Sequence, residues 1–126
     1  MEEIKKLKRA NYIALGLVAA LVLACLAGAW AYRQRRSFST EKWITDPENR
    51  TRIVDDLLSD HALTGMTEQE VLALLGGHDN DRGYFQQEGR LVYWLGPERG
   101  LISIDSEWLI LEFSGDVVTD AYITRD

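Results

Sequence analysis

The chain has 126 residues, 14 of them basic and 20 acidic, for a net charge of −6. That acidic balance argues against a nucleic-acid partner, because phosphate binding needs clustered lysine and arginine. A single cysteine excludes an intrachain disulfide and leaves the redox compartment open.

Residues 10–32 are 23 consecutive positions without a formal charge. From Tyr12 to Tyr32 the run is almost wholly apolar, and as a helix its length reaches roughly 31 Å, the thickness of a bilayer's hydrocarbon core. Charge sorts with this segment: residues 1–36 carry +5 and residues 37–126 carry −11. The run predicts an anchor in membrane lipid, with an acidic domain held clear of anionic headgroups. Two forms of anchor fit. In one, residues 12–32 span the bilayer, with Tyr12, Trp30 and Tyr32 as interfacial rings and Lys/Arg clusters on both sides. In the other, Lys5 to Arg9 is the basic start of a signal peptide and Tyr12 to Ala24 its apolar stretch. The run Leu21-Val22-Leu23-Ala24-Cys25 then resembles a bacterial lipobox, which makes Cys25 the candidate for lipidation after cleavage. Lys5, Lys6, Lys8 and Arg9 balance Arg33, Arg35, Arg36 and Lys42, so the positive-inside rule does not orient the segment.

Residues 37–46, Ser-Phe-Ser-Thr-Glu-Lys-Trp-Ile-Thr-Asp, read as a short linker, and the domain is expected over residues 47–126. Asp46-Pro47 is a helix start, since aspartate can accept from free N–H groups and proline fits the first turn. Ile53, Val54, Leu57 and Leu58 place one apolar face on a helix running to about Asp60. Thr67 and Glu70 form a capping box for a second helix, with Met66 set to staple onto Val71 and Gly76-Gly77 ending it. His61 suits the end of the first helix, and the loop His78-Asp79-Asn80-Asp81 reads as a solvated turn. Gly83 and Arg90 stand where a calcium loop needs other residues, so no metal site is expected.

Beyond Gly83 the period changes from helix to strand. Tyr84 to Gln87 and Leu91 to Leu95 predict two strands about a Glu88-Gly89 turn. Glu107 to Phe113 predicts a strand with Leu109, Leu111 and Phe113 on one face and Trp108, Ile110 and Glu112 on the other. After Ser114-Gly115-Asp116, Val117 to Thr124 returns as an edge strand with Val117, Ala121 and Ile123 on one face. The expected fold class is α+β: a membrane helix, then two helices on three or four antiparallel strands.

The sequence Gly65-Met66-Thr67-x-x-Glu70-Val71-x-x-Leu74-Leu75-Gly76, the aromatic Tyr93-Trp94 and Leu109-x-Leu111-x-Phe113-x-Gly115-x-Val117 carry a resemblance. Over about residues 50–125 the chain resembles the BamE-like (SmpA/OmlA) domain of small bacterial envelope proteins. The resemblance implies two helices on a three-stranded antiparallel sheet, lipoprotein attachment through Cys25, and protein binding without cofactors. The chain departs from that family at Gly76-Gly77-His78 and in the length of the insert Tyr93 to Ser106. Domain class therefore transfers, and membership of the outer-membrane assembly machinery does not.

No nucleophile elbow accompanies Ser103, Asp105, Ser106 and His78, so an enzyme is not expected. Tyr93, Trp94, Trp108 and Tyr122 are too many large rings for one side of a small sheet, and the candidate partner-binding residues are Tyr93, Trp94, Trp108 and Ile110, with Arg99 in the adjoining Gly96-Pro97-Glu98-Arg99-Gly100 turn. Either Trp108 and Ile110 form an open apolar patch, or the loop from Pro97 to Ser106 folds back over them. The expected function is a membrane-anchored, non-enzymatic module that binds an envelope protein outside the cytoplasm. The alternative is a sensor of small ligands or cell-wall fragments in a cleft between that loop and the sheet.

Overall fold

The computed structural model describes residues 1–60, 62–77, 85 and 87–126. His61, the His78 to Asp81 loop, and Tyr84 and Gln86 of the strand expected at Tyr84 to Gln87 lie outside them. The chain divides into two compact units, residues 1–35 and 36–126.

The first unit is one helix, α1, Glu2–Arg36. It extends past the apolar run because the basic flanks are also good helix formers. None of its residues is buried, and Ile13, Leu15, Leu17, Val18, Leu21, Val22, Leu23 and Leu26 are all exposed. A helix apolar on every side has no solvent-facing stripe, a pattern shared by membrane spans, signal sequences and fully buried core helices. Its length and composition are sufficient to cross a membrane. Cys25 is exposed on it as a free thiol.

The second unit is α+β. Among the described residues three short helices, α2 (Thr40–Thr45), α3 (Arg50–Asp60) and α4 (Glu68–Leu75), precede three strands, β1 (Arg90–Pro97), β2 (Ser106–Ser114) and β3 (Val117–Arg125). The strands form one antiparallel sheet in the order β1-β2-β3. Short connections of this kind permit antiparallel neighbours only.

The segment expected as a linker is part of this unit. Ser39 caps α2 by accepting from the Lys42 N–H at 3.1 Å, and Trp43 is completely buried. The Trp43 ring meets Phe38 edge-on at 6.0 Å and Tyr93 at 5.9 Å. The Phe38 N–H donates to the Asp56 carboxylate at 2.6 Å. A polar composition concealed two aromatic anchors, and these bring residues 37–46 into the core.

Proline begins a 3-10 turn, Pro47–Asn49, that leads into α3. Asp46 makes no side-chain cap to the backbone there; its carboxylate accepts from the Asn49 amide at 2.8 Å. Arg50, at the start of α3, is buried. Its guanidinium donates to the carbonyls of Trp43 and Trp94 and lies 4.8 Å from the Trp43 ring centre. One cation thus ties α2, α3 and β1 together. Thr67 accepts from the Glu70 N–H at 3.2 Å, which is the N-cap half of the expected capping box, and Gly76 ends α4 at φ +74°.

Two bulges set the faces of the sheet. Between Trp94 and Gly96, Leu95 is the additional residue of β1, and between Glu112 and Phe113 the register shifts by Thr119 of β3. The second bulge corrects the expectation for β3: Val118 is buried and Val117 is exposed, because the added residue reverses the alternation. Leu91, Tyr93, Leu95, Leu109, Leu111 and Val118 then face Trp43, Ile53, Val54, Leu57, Val71 and Leu75 in the main core. Main-chain bonds from the Gly65 N–H to Val118 O and from the Val118 N–H to Met66 O fasten the α3–α4 connection to β3.

Candidate interaction surface

The five residues singled out for partner binding fall in three environments. Tyr93 belongs to the main core, where its hydroxyl donates to the Gly76 carbonyl at 2.9 Å. Trp108, 4% exposed, and Ile110 are buried with Val92 in a second cluster on the opposite sheet face. Trp94, Tyr122 and Phe85 pack against that cluster, with the Phe85 ring 6.0 Å from Trp108. Among the described residues the patch is therefore closed by Phe85, Trp94 and Tyr122 rather than by the loop after Pro97. Arg99 is the fifth residue, and it is held by carboxylates.

Polar groups pin the edges of this second face. Arg90 donates to Glu112 at 2.6 Å and to the Phe85 carbonyl at 3.2 Å, while the Tyr122 hydroxyl donates to the same Glu112 oxygen at 3.0 Å. Arg90, and then Tyr122, hold the Glu112 carboxyl below its usual range. Desolvation, followed by the hydrogen bond to Glu112, pushes the Tyr122 phenol up. At the other end the Trp108 indole and the Ser106 N–H donate to Asp126 at 3.1 and 2.9 Å. The Ser106 bond is the larger cause of the lowered Asp126 pKa.

The loop of residues 98–105, joining β1 to β2, turns outward from a fixed base. Glu107 at its root is almost fully buried and accepts from the Arg99 guanidinium at 2.9 and 3.2 Å and from the Arg99 N–H at 3.2 Å. Arg99 also reaches Asp55 of α3 at 2.9 Å. Arg125 of β3 pairs with Glu98 at 2.9 Å and approaches Glu107 at 3.8 Å. Hydrogen bonds to Glu107 are the main reason the Arg99 pKa is raised. The Glu98 N–H donates to the Asp105 carbonyl and the Ser103 hydroxyl to the Glu98 carbonyl, closing the loop on itself.

On this clamped base stand three aliphatic side chains. Leu101 is fully exposed, Ile102 is 72% exposed and Ile104 is 82% exposed. Sequence reasoning weighed the loop as a cover for the sheet or as one wall of a cleft, and missed its tip as a surface. The available signal was three aliphatic residues following Gly100 in a short stretch between two strands.

A cleft of about 730 Å³ lies at the opposite end of β1 and β2. Thr67, Glu68, Gln87, Glu88, Arg90 and Asp116 line it, over Leu91 and Phe113. This cleft contains no residue of the 97–106 loop, so it is not the one expected between that loop and the sheet. No family model, curated protein or solved structure matches the chain.

Proposed function

We propose that the chain is a membrane-tethered, non-enzymatic envelope module of the BamE-like kind that binds another protein. The observation that carries this reading is α1, apolar on every side and followed directly by a folded unit that begins at Arg36. Anchoring gives such a module a high effective concentration at the membrane, so that a modest interface suffices. Helices followed by a three-stranded meander agree with the resemblance of residues 50–125 to BamE-like domains. That resemblance also supports a bacterial envelope setting, with the domain outside the cytoplasm.

Partner binding fits the cleft at Thr67, Glu68, Glu88 and Asp116. Pockets for small molecules are lined mainly by apolar groups, whereas this one carries three carboxylates over an apolar floor. Its volume nevertheless lies within the small-ligand range, and that favours the sensor as the second reading.

Intact mass of protein extracted from membranes tests the anchor. The expected species is either the full chain or an acylated product beginning at Cys25, and only in the second case does Cys25→Ser prevent release of the leader. Uncleaved chain recovered without detergent would refute the reading. A photocrosslinking residue at Glu68 is expected to trap a protein. Thermal stabilisation by a small ligand, without a crosslinked protein, favours the sensor instead.

A further inference from the structure

We propose that the tip of the β1–β2 loop, Gly100-Leu101-Ile102-Ser103-Ile104, is a second membrane contact that rests in the interfacial layer of the bilayer holding α1. The inference rests on the anchor reading and adds a site to it. Leu101, Ile102 and Ile104 are the most exposed large apolar side chains among the described residues of the second unit. The network of Arg99, Glu107, Arg125, Glu98 and Asp55 fixes the base of the loop, so the tip does not fold back to bury them. Exposed aliphatic groups held away from their own core meet either lipid or another protein.

The chemistry of the tip favours lipid. Protein hot spots are enriched in tryptophan, tyrosine and arginine and poor in leucine. Here the tip is aliphatic and uncharged, and the neighbouring arginine is already occupied by Glu107 and Asp55. Connectivity supplies the lipid: Tyr32 ends the apolar run and the folded unit begins at Arg36. A bilayer that holds α1 is therefore presented to the domain at high effective concentration. Depth is bounded by the backbone. Irregular main chain does not enter the hydrocarbon core, so only the side chains reach past the headgroups. The charge of −11 on residues 37–126 disfavours anionic lipid, and a zwitterionic surface is the match.

Spin-label depth measurement on the full, uncleaved chain in phosphatidylcholine vesicles tests this. One nitroxide is placed at native Cys25, and others at Ile102→Cys and Asp116→Cys, each in a Cys25→Ser background. At 102 the label is expected to relax faster with oxygen than with a water-soluble nickel chelate, whereas at 116 the order reverses. Adding Leu101→Ser and Ile104→Ser should return the label at 102 to water. A water-exposed label at 102 overturns the proposal and leaves the loop to a protein partner, whatever position 25 shows. Immersion that requires phosphatidylglycerol overturns it as well. A water-exposed label at Cys25 overturns the anchor reading separately.

Discussion

The carbonyl oxygen of Glu48 lies 2.7 Å from the point where a β-carbon on Gly96 would stand. Gly96 also holds φ at +128°, in the bulge where β1 passes the 3-10 turn. Backbone faces backbone here, so no side-chain adjustment relieves the clash. Gly96→Ala is expected to cost about 2 kcal/mol through strain and overpacking. For a domain of this size that lowers Tm by roughly 8 to 16 °C. Gly100→Ala, where a β-carbon meets nothing within 4 Å, isolates the backbone share because its φ is +138°. Thermal denaturation of the two variants should rank Gly96→Ala well below Gly100→Ala.

Trp43 sets the true start of the folded unit. Its ring is buried between Phe38 and Tyr93, and its carbonyl accepts from Arg50. Residues 37–126 should give a cooperative unfolding transition, while residues 47–126 should lack one because the core is left open where Trp43 belongs. Trp43→Ala in the longer fragment is expected to cost about 3 to 5 kcal/mol. Equal melting of the two fragments would show that α2 is an ornament on the fold.

These results mark what was legible in the sequence. The capping box at Thr67 and Glu70, the glycine stop at Gly76 and the two faces of β2 were readable because each depends on neighbours a few residues away. Long-range features were not. Phe38 and Trp43 stand in a stretch with too few apolar residues to show a period, and the buried Trp43 ring packs on Tyr93, fifty residues later. The bulge at Thr119 reversed Val117 and Val118, since register is set by pairing with Glu112 and Phe113 rather than by local alternation. The aromatic candidates were recognised as important and Trp108 was assigned to the face opposite Leu109, but sequence could not assign Tyr93 to the helix-covered face or show that the other face is closed. Arg99 was singled out without its partners, because Asp55 and Glu107 reach it from separate elements.

Arg99 and Glu107 should behave as a coupled pair. Arg99→Ala leaves the buried Glu107 carboxylate with Arg125 at 3.8 Å as its remaining cation among the described residues. A fully buried pair broken from one side loses roughly 3 to 5 kcal/mol. Arg99 is 39% exposed and Arg125 remains, so about 1 to 2 kcal/mol is expected here. Glu107→Gln should partly rescue Arg99→Ala by removing the charge that lost its partner. A double-mutant cycle measured by urea denaturation reads the coupling. Strict additivity would mean that the loop base is not held by this pair.

Acid should loosen the second sheet face before the main core. Glu112 and Asp126 each have a folded pKa below the unfolded one, the first chiefly through Arg90 and the second through the Ser106 N–H. A carboxyl of that kind contributes stability above its unfolded pKa and loses it as pH falls through the lower, folded value. Stability should therefore be level near neutral pH and decline as pH passes down through and below the ordinary carboxylate range. Glu112→Gln removes one of the two groups and leaves weaker neutral hydrogen bonds to Arg90 and Tyr122. Its melting temperature is expected below that of the parent at neutral pH, with a shallower acid limb, so that the two profiles converge at low pH. Tryptophan fluorescence near Trp108 should change earlier on acidification than far-UV circular dichroism, because Phe85 is held over that ring partly through Arg90, the partner that Glu112 releases on protonation. Parallel acid limbs in parent and variant would place the acid-sensitive group elsewhere.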